Sequence, residues 1–151
     1  MPADTPLTPN FFLSQLTVSP LAGRAGMRNQ PLGVQFDNLR RLAQTLEVVR
    51  SSLSGCQVCV LRAFRHVPLQ TKDNADPAAA GRSVDFIAPA FGSPREVCAH
   101  LIAQGFAFDR LVNAGEWIQL DIPQFGHEPR RQLQTGVFEY GQPMRYLEGL
   151  L

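Results

Sequence analysis

The sequence predicts an α+β domain: a small antiparallel sheet, two main helices, and extended arms at both ends. Three observations carry this. An apolar stripe of helical period runs through about residues 34–53. A capping sequence, Ser93-Pro94-Arg95-Glu96, opens a second helix. Short apolar runs bounded by turn residues mark strands before and after that helix. The order helix, strand, strand, helix, strand, strand suits a sheet with helices packed on one side.

Residues 1–10 carry three prolines and two threonines and read as an N-terminal arm. Phe11-Phe12 is an apolar anchor for that arm or a patch that docks on a neighbour. From Phe11 to Pro31, interruptions at Pro20, Gly23 and Gly26 leave room for a short helix and a loop. In the first long helix Leu39, Leu42, Leu46, Val49 and Leu53 form the buried stripe, Phe36 extends it, and Gly55 ends the segment.

A strand is expected at about 57–65, a loop from Val67 to Ala80, and a second strand at 82–88. In the second helix Ser93 caps, Pro94 takes the first position and Glu96 closes a capping box. Val97, Cys98, Leu101 and Ile102 form its buried face, and Gly105 stops it. Phe108–Val112 and Glu116–Ile122 flank Asn113-Ala114-Gly115 as a β-hairpin, with Trp117 expected in the core beneath the sheet. The domain proper thus spans 11–122. Residues 123–151, rich in proline and glycine, are an extended tail able to form at most short strands.

Composition narrows the function. At 151 residues and 44% apolar content the chain supports one hydrophobic core. Its net charge of +1 argues against nucleic acid as a partner. No apolar run approaches the ~20 residues that cross a bilayer, and the first residues do not read as a secretory signal. Synthesis in a cytoplasm is expected. The fourteen basic residues include one lysine, Lys72. The pairs Arg40-Arg41 and Arg130-Arg131 read as solvated or ion-paired positions rather than phosphate contacts. The three cysteines do not form a disulfide framework. Cys56 and Cys59 have metal or redox spacing, but on a strand residues three apart point to opposite faces. They read as small buried hydrophobes.

The segment Asp76-Pro77-Ala78-Ala79-Ala80-Gly81-Arg82-Ser83-Val84-Asp85 lies between Arg62-Ala63-Phe64-Arg65-His66 and Glu116-Trp117-Ile118-Gln119-Leu120. In order and spacing this resembles the zinc D-Ala-D-Ala carboxypeptidase family, metallopeptidase family fifteen, especially its small bacteriophage and prophage forms. That family carries Ser-Gly-Tyr-Arg-Ser, then Ser-x-His-x-x-Gly-x-Ala-x-Asp, then Trp-Val-His-Val. The resemblance implies a hedgehog/DD-peptidase-like fold. It places the first zinc ligand, a histidine, on Ala78 and the second on Asp85. The third, another histidine, falls on Gln119. The general base falls on Ala114, with Glu116 close enough to replace it after a hairpin shift. The substrate-carboxylate arginine falls on Arg65.

A catalytic zinc takes three protein ligands and a water. Two of the three are absent here, so the reading is a pseudoenzyme without a cofactor. Arg65 and Asp85 are expected to pair with each other. His66, Asp76 and Asp85 offer the alternative of a rebuilt metal site. His100 and His127 read as surface or capping residues. The function implied is a non-catalytic structural or interaction protein of a virion, tail- or capsid-associated. It would be made in the host cytoplasm and assembled with its own copies or other virion proteins. The alternative is a peptidoglycan-binding protein or a hydrolase with relocated zinc.

Overall fold

The computed structural model describes residues 4–17, 31, 33–64 and 80–151. Its described elements are β1 (Pro6–Thr8), β2 (Phe11–Phe12), α1 (Leu13–Thr17), α2 (Val34–Ser52), β3 (Cys59–Arg62), β4 (Ser83–Ile87), α3 (Pro94–Ala103), β5 (Arg110–Asn113), β6 (Ile118–Asp121), β7 (Gln132–Val137) and β8 (Arg145–Glu148). The fold is α+β. β1 and β2 pair with each other, and the other six strands form one sheet in the order β3-β4-β6-β5-β7-β8.

Helix α2 forms where the leucine stripe predicts it. Leu39, Leu42, Leu46 and Val49 are fully buried, and Leu53 beyond its end is buried with them. Each such side chain contributes about 1.5–3 kcal/mol through its removal from water. In α3 the Ser93 hydroxyl caps the helix by accepting from the Glu96 amide at 3.2 Å, and it donates to the Glu96 carboxylate at 3.1 Å in place of the backbone contact of a full capping box. Val97, Cys98 and Leu101 face the core. Ile102 remains exposed, because it lies a quarter-turn past Leu101 on the solvent flank. Both helices share one core with Val84 and Phe86 of β4, Leu111 of β5, and Ile118 and Leu120 of β6.

That burial assigns the sheet two unlike faces. Val84, Phe86, Ile118 and Leu120 point to the helices, so the alternate residues Ser83, Asp85, Gln119 and Asp121 point the other way. Trp117 follows the second set. It is only half-buried, away from the core in which the sequence placed it, because it sits two residues before Gln119 on the same face. Phe36 is also half-buried rather than part of the stripe, and the Arg40 guanidinium lies 5.4 Å from its ring centre.

The expected antiparallel sheet is mixed. β7 runs parallel to β5, with Arg110 opposite Gln132 and Asn113 opposite Thr135. A bidentate clamp fixes this return: Arg130 donates from Nε and Nη2 to the buried Asp109 carboxylate, the latter at 2.9 Å. The Gln132 amide then donates to the Asp109 carbonyl at 2.9 Å, starting the parallel ladder. The segment after residue 123 thus supplies two strands of the sheet. The opposite end is docked as well. Phe11 is buried, and the Asn10 amide and side chain both donate to the Glu47 carboxylate of α2, at 3.0 and 2.8 Å. The described part of each expected arm is therefore folded onto the body.

Gly81 sets the approach of β4 to α2. Its φ is +81°, and a Cβ there would meet the Gln35 carbonyl oxygen at 2.7 Å. The preceding Ala80 carbonyl accepts from the buried Asn38 side chain at 2.8 Å. A side chain at 81 would strain the left-handed backbone and push strand from helix. Gly81→Ala is expected to lower stability by about 1–3 kcal/mol, read as a fall in the urea unfolding midpoint at unchanged slope.

Candidate functional site on the polar sheet face

The sheet face turned away from the helices collects most of the residues that the sequence singled out. Asp85 and Gln119 are direct cross-strand partners, and so are Ser83 and Asp121. Ala114, in the loop between β5 and β6, donates its amide to the Trp117 carbonyl at 3.0 Å and is buried. Positions 85, 119 and 114, which the resemblance assigns to two ligands and a base, therefore lie on one face of the sheet. Arg65, His66, Asp76 and Ala78 lie outside the described residues. Glu116 is exposed in the loop.

Asp85 has a partner that the sequence did not suggest. Arg62 Nε donates to Asp85 Oδ2 at 2.9 Å, and the same guanidinium lies 5.1 Å from the Trp117 ring centre. A β-bulge produces this contact. Val60 pairs with Phe86 and Arg62 pairs with Asp85, so two steps on β3 span one step on β4. With regular alternation Leu61 would face Asp85. The extra residue turns the arginine onto the polar face instead. Arg62 takes the role expected of Arg65 as the described ionic partner of Asp85. Burial pushes the Asp85 carboxyl up from its ordinary value, against the pull of Arg62 and with the help of the Asp121 charge.

The polar track continues across β6, β5, β7 and β8. Gln119 Nε2 donates to Asp121 Oδ1 at 3.3 Å. Arg110 Nη1 is 4.0 Å from Asp121 Oδ2, while Arg110 Nε donates to Gln134 at 2.7 Å. Gln134 in turn donates to Glu148 at 2.9 Å, and the Arg110 guanidinium lies 4.4 Å from the Tyr146 ring centre. Asp121 is the least satisfied member. Its side chain is 1% exposed, and Oδ2 has no hydrogen-bond donor. Burial pushes its carboxyl up too, only partly offset by Ser83, Gln119 and Arg110.

Of the positions that the resemblance assigns to zinc, Ala78 lies outside the described residues, Gln119 carries an amide, a weak ligand for this metal, and the Asp85 carboxylate is paired with Arg62. Among the described residues no three His, Cys, Asp or Glu side chains cluster so as to hold a metal ion. Cys56 and Cys59 are half-buried free thiols, and Cys98 is fully buried, where desolvation pushes its thiol up to about 12. His100 Nε2 lies 2.7 Å from the Ser52 carbonyl and its ring packs on Phe91, which ties α3 to the end of α2. His127 is exposed.

Asp121 gives a pH prediction with a definite sign. Its folded-state carboxyl is raised, so the fold binds its proton more tightly than the unfolded chain does. The residue therefore costs stability as pH rises from the ordinary aspartate value through the raised one. Asp121→Asn removes that cost. The difference in urea midpoint, variant minus wild type, should move in favour of the variant between acidic and neutral pH. A pH-independent difference would contradict the assignment.

No family model and no curated protein matches the chain, so the geometry of this face carries the functional case.

Proposed function

We propose that this is a non-catalytic structural or interaction protein on a degenerate zinc D-Ala-D-Ala carboxypeptidase scaffold, serving as a tail- or capsid-associated component of a bacteriophage particle. The supporting observation is the shared surface of Asp85, Gln119 and Ala114. The resemblance assigns these positions to the metal and its base. Here they carry an arginine-paired acid, an amide bonded to a neighbouring aspartate, and a methyl group. Such a face can hold charge and hydrogen bonds, but it offers no activated water for peptide hydrolysis.

Other surfaces suit assembly. β8 is an edge strand with all four residues exposed, beside the turn that displays Phe138 and the fully exposed Tyr140. An open edge with neighbouring aromatic side chains is a natural place for another strand or subunit to dock. Self-assembly or attachment to other virion proteins would use this end of the sheet.

Two measurements test the proposal. Protein purified without chelators should contain well under one equivalent of zinc by elemental analysis and should release no D-alanine from an acyl-D-Ala-D-Ala peptide. Stoichiometric zinc would favour a rebuilt site drawing on His66 and Asp76. In a lysate containing particles, the chain should band with intact virions on a density gradient. Recovery only in the soluble fraction would remove the virion assignment while leaving the zinc result standing.

A further inference from the structure

We propose that β8 pairs antiparallel with β8 of a second copy of this chain, about a twofold axis at Leu147, so that two sheets join edge to edge. The proposal deepens the assembly reading of this end of the sheet and rests on it. β8 closes one edge of the sheet and pairs with β7 alone. Its register there is regular, and it holds no proline, lysine or bulge to blunt the edge. The other edge is better protected. β3 carries the bulge at Leu61, and just beyond it the Phe64 amide donates to the Leu16 carbonyl of α1. Of the eleven exposed large hydrophobic residues, five (Phe138, Tyr140, Tyr146, Leu147 and Leu151) lie at the β8 end. The apolar surface that folding leaves uncovered is therefore concentrated beside the free edge.

The strand's own chemistry selects its occupant. The Gly149 amide donates to the carbonyl of Leu133, in the same register that pairs Glu148 with Gln134. By alternation Leu147 and Arg145 also turn their backbone groups to β7, while Tyr146 and Glu148 aim theirs outward. A twofold partner must keep like faces of the two sheets together, so a residue can face only itself or a residue an even number of steps away. Centring the pair on Arg145 or Glu148 would set like charges opposite each other. Centring it on Tyr146 would turn Glu148 toward Met144, which lies outside the strand. Centring it on Leu147 sets Tyr146 against Glu148 of the second copy, twice over. Every outward N–H and C=O of the strand then has a partner.

The side chains agree with that register. On the polar face each Tyr146 hydroxyl meets a Glu148 carboxylate, whose Oε1 already accepts from Gln134, so Oε2 is the oxygen on offer. On the other face Leu147 meets Leu147 at the closer, non-hydrogen-bonded spacing of about 4.5 Å. Arg145 faces Gly149, which has no side chain to obstruct it. Any strand can add to an open edge, but this one carries its own complement. Two four-residue strands alone bury less than the about 1,200–2,000 Å² of a stable dimer. The same register sets Met144 opposite Leu150, which carries the turn bearing Phe138 and Tyr140 toward Leu151 of the second copy at both ends of the junction.

Sedimentation velocity on the full chain should show a monomer–dimer equilibrium with a Kd of about 1–100 μM. Tyr146→Pro removes an outward amide while leaving the bonds to β7 in place. Leu147→Arg puts like charges at the axis. Each should weaken dimerisation at least about tenfold, with urea unfolding of each variant checking that the fold is kept. Engineered cysteines read the register. Leu147→Cys sets two thiols directly opposite, within disulfide reach, whereas Tyr146→Cys leaves them on a diagonal about 7–8 Å apart. Mild oxidation should therefore give a covalent dimer faster in Leu147→Cys than in Tyr146→Cys or the wild-type chain. The proposal is overturned by a wild-type monomer up to about 500 μM, well above that range, by a dimer undiminished in both folded variants, or by cross-linking at 146 as fast as at 147. The virion assignment fails separately: a dimer recovered only in the soluble fraction removes that assignment and keeps the pairing, and a monomer that bands with particles does the reverse.

Discussion

The pairing register of β4 against β6 is the constraint on which the rest of the molecule depends. Val84 and Phe86 on one strand, and Ile118 and Leu120 on the other, must reach the same core as the α2 leucines. Because side chains alternate with a period of two, a slip of one residue would turn all four into the polar face. The apolar core therefore fixes, as a by-product, that Asp85 lies opposite Gln119 and Ser83 opposite Asp121. The polar face is arranged by the demands of the apolar one.

The face tolerates a cost that the core would not. Most of its polar groups are paired, and the chain of contacts from Gln119 through Asp121, Arg110 and Gln134 to Glu148 crosses four strands. A buried oxygen without a hydrogen-bond donor, such as Asp121 Oδ2, costs on the order of 1–3 kcal/mol, offset in part by the Arg110 charge 4.0 Å away. A polar network with one unsatisfied member is a poor stability device, and an apolar replacement would hold the strands together at least as well.

How much of this was legible in the sequence follows from the range of each interaction. The helices were legible because their signals are local: the leucine spacing of α2 and the four-residue cap of α3. The sheet was legible up to β6, where strands follow one another as neighbours or flank a helix. β7 was not, since it pairs in parallel with β5 and depends on Asp109 holding an arginine 21 positions away. Local patterning carries no trace of such a bond, and a glutamine-rich, glycine-interrupted strand looks like a loop. At the site, the resemblance names Asp85, Gln119 and Ala114 together, and the pairing of β4 with β6 sets the first two opposite each other. The ionic partner was not foreseen, because regular alternation on β3 puts Leu61 opposite Asp85. Trp117 was misplaced for a related reason: hydrophobicity alone suggested the core, while strand phase put it on the other face.

The bulge has a consequence for how this surface can change over evolutionary time. Arg62 faces Asp85 because β3 carries one residue more than β4 between the two pairs that flank the bulge. Loss of the single codon for Leu61 would leave the arginine directly after Val60, opposite Asp85 in regular alternation, so the pair would survive the deletion. Closing the bulge without a deletion would instead put Leu61 opposite Asp85 and carry the arginine to the other face. Two descendants of identical composition could therefore differ in what this surface holds.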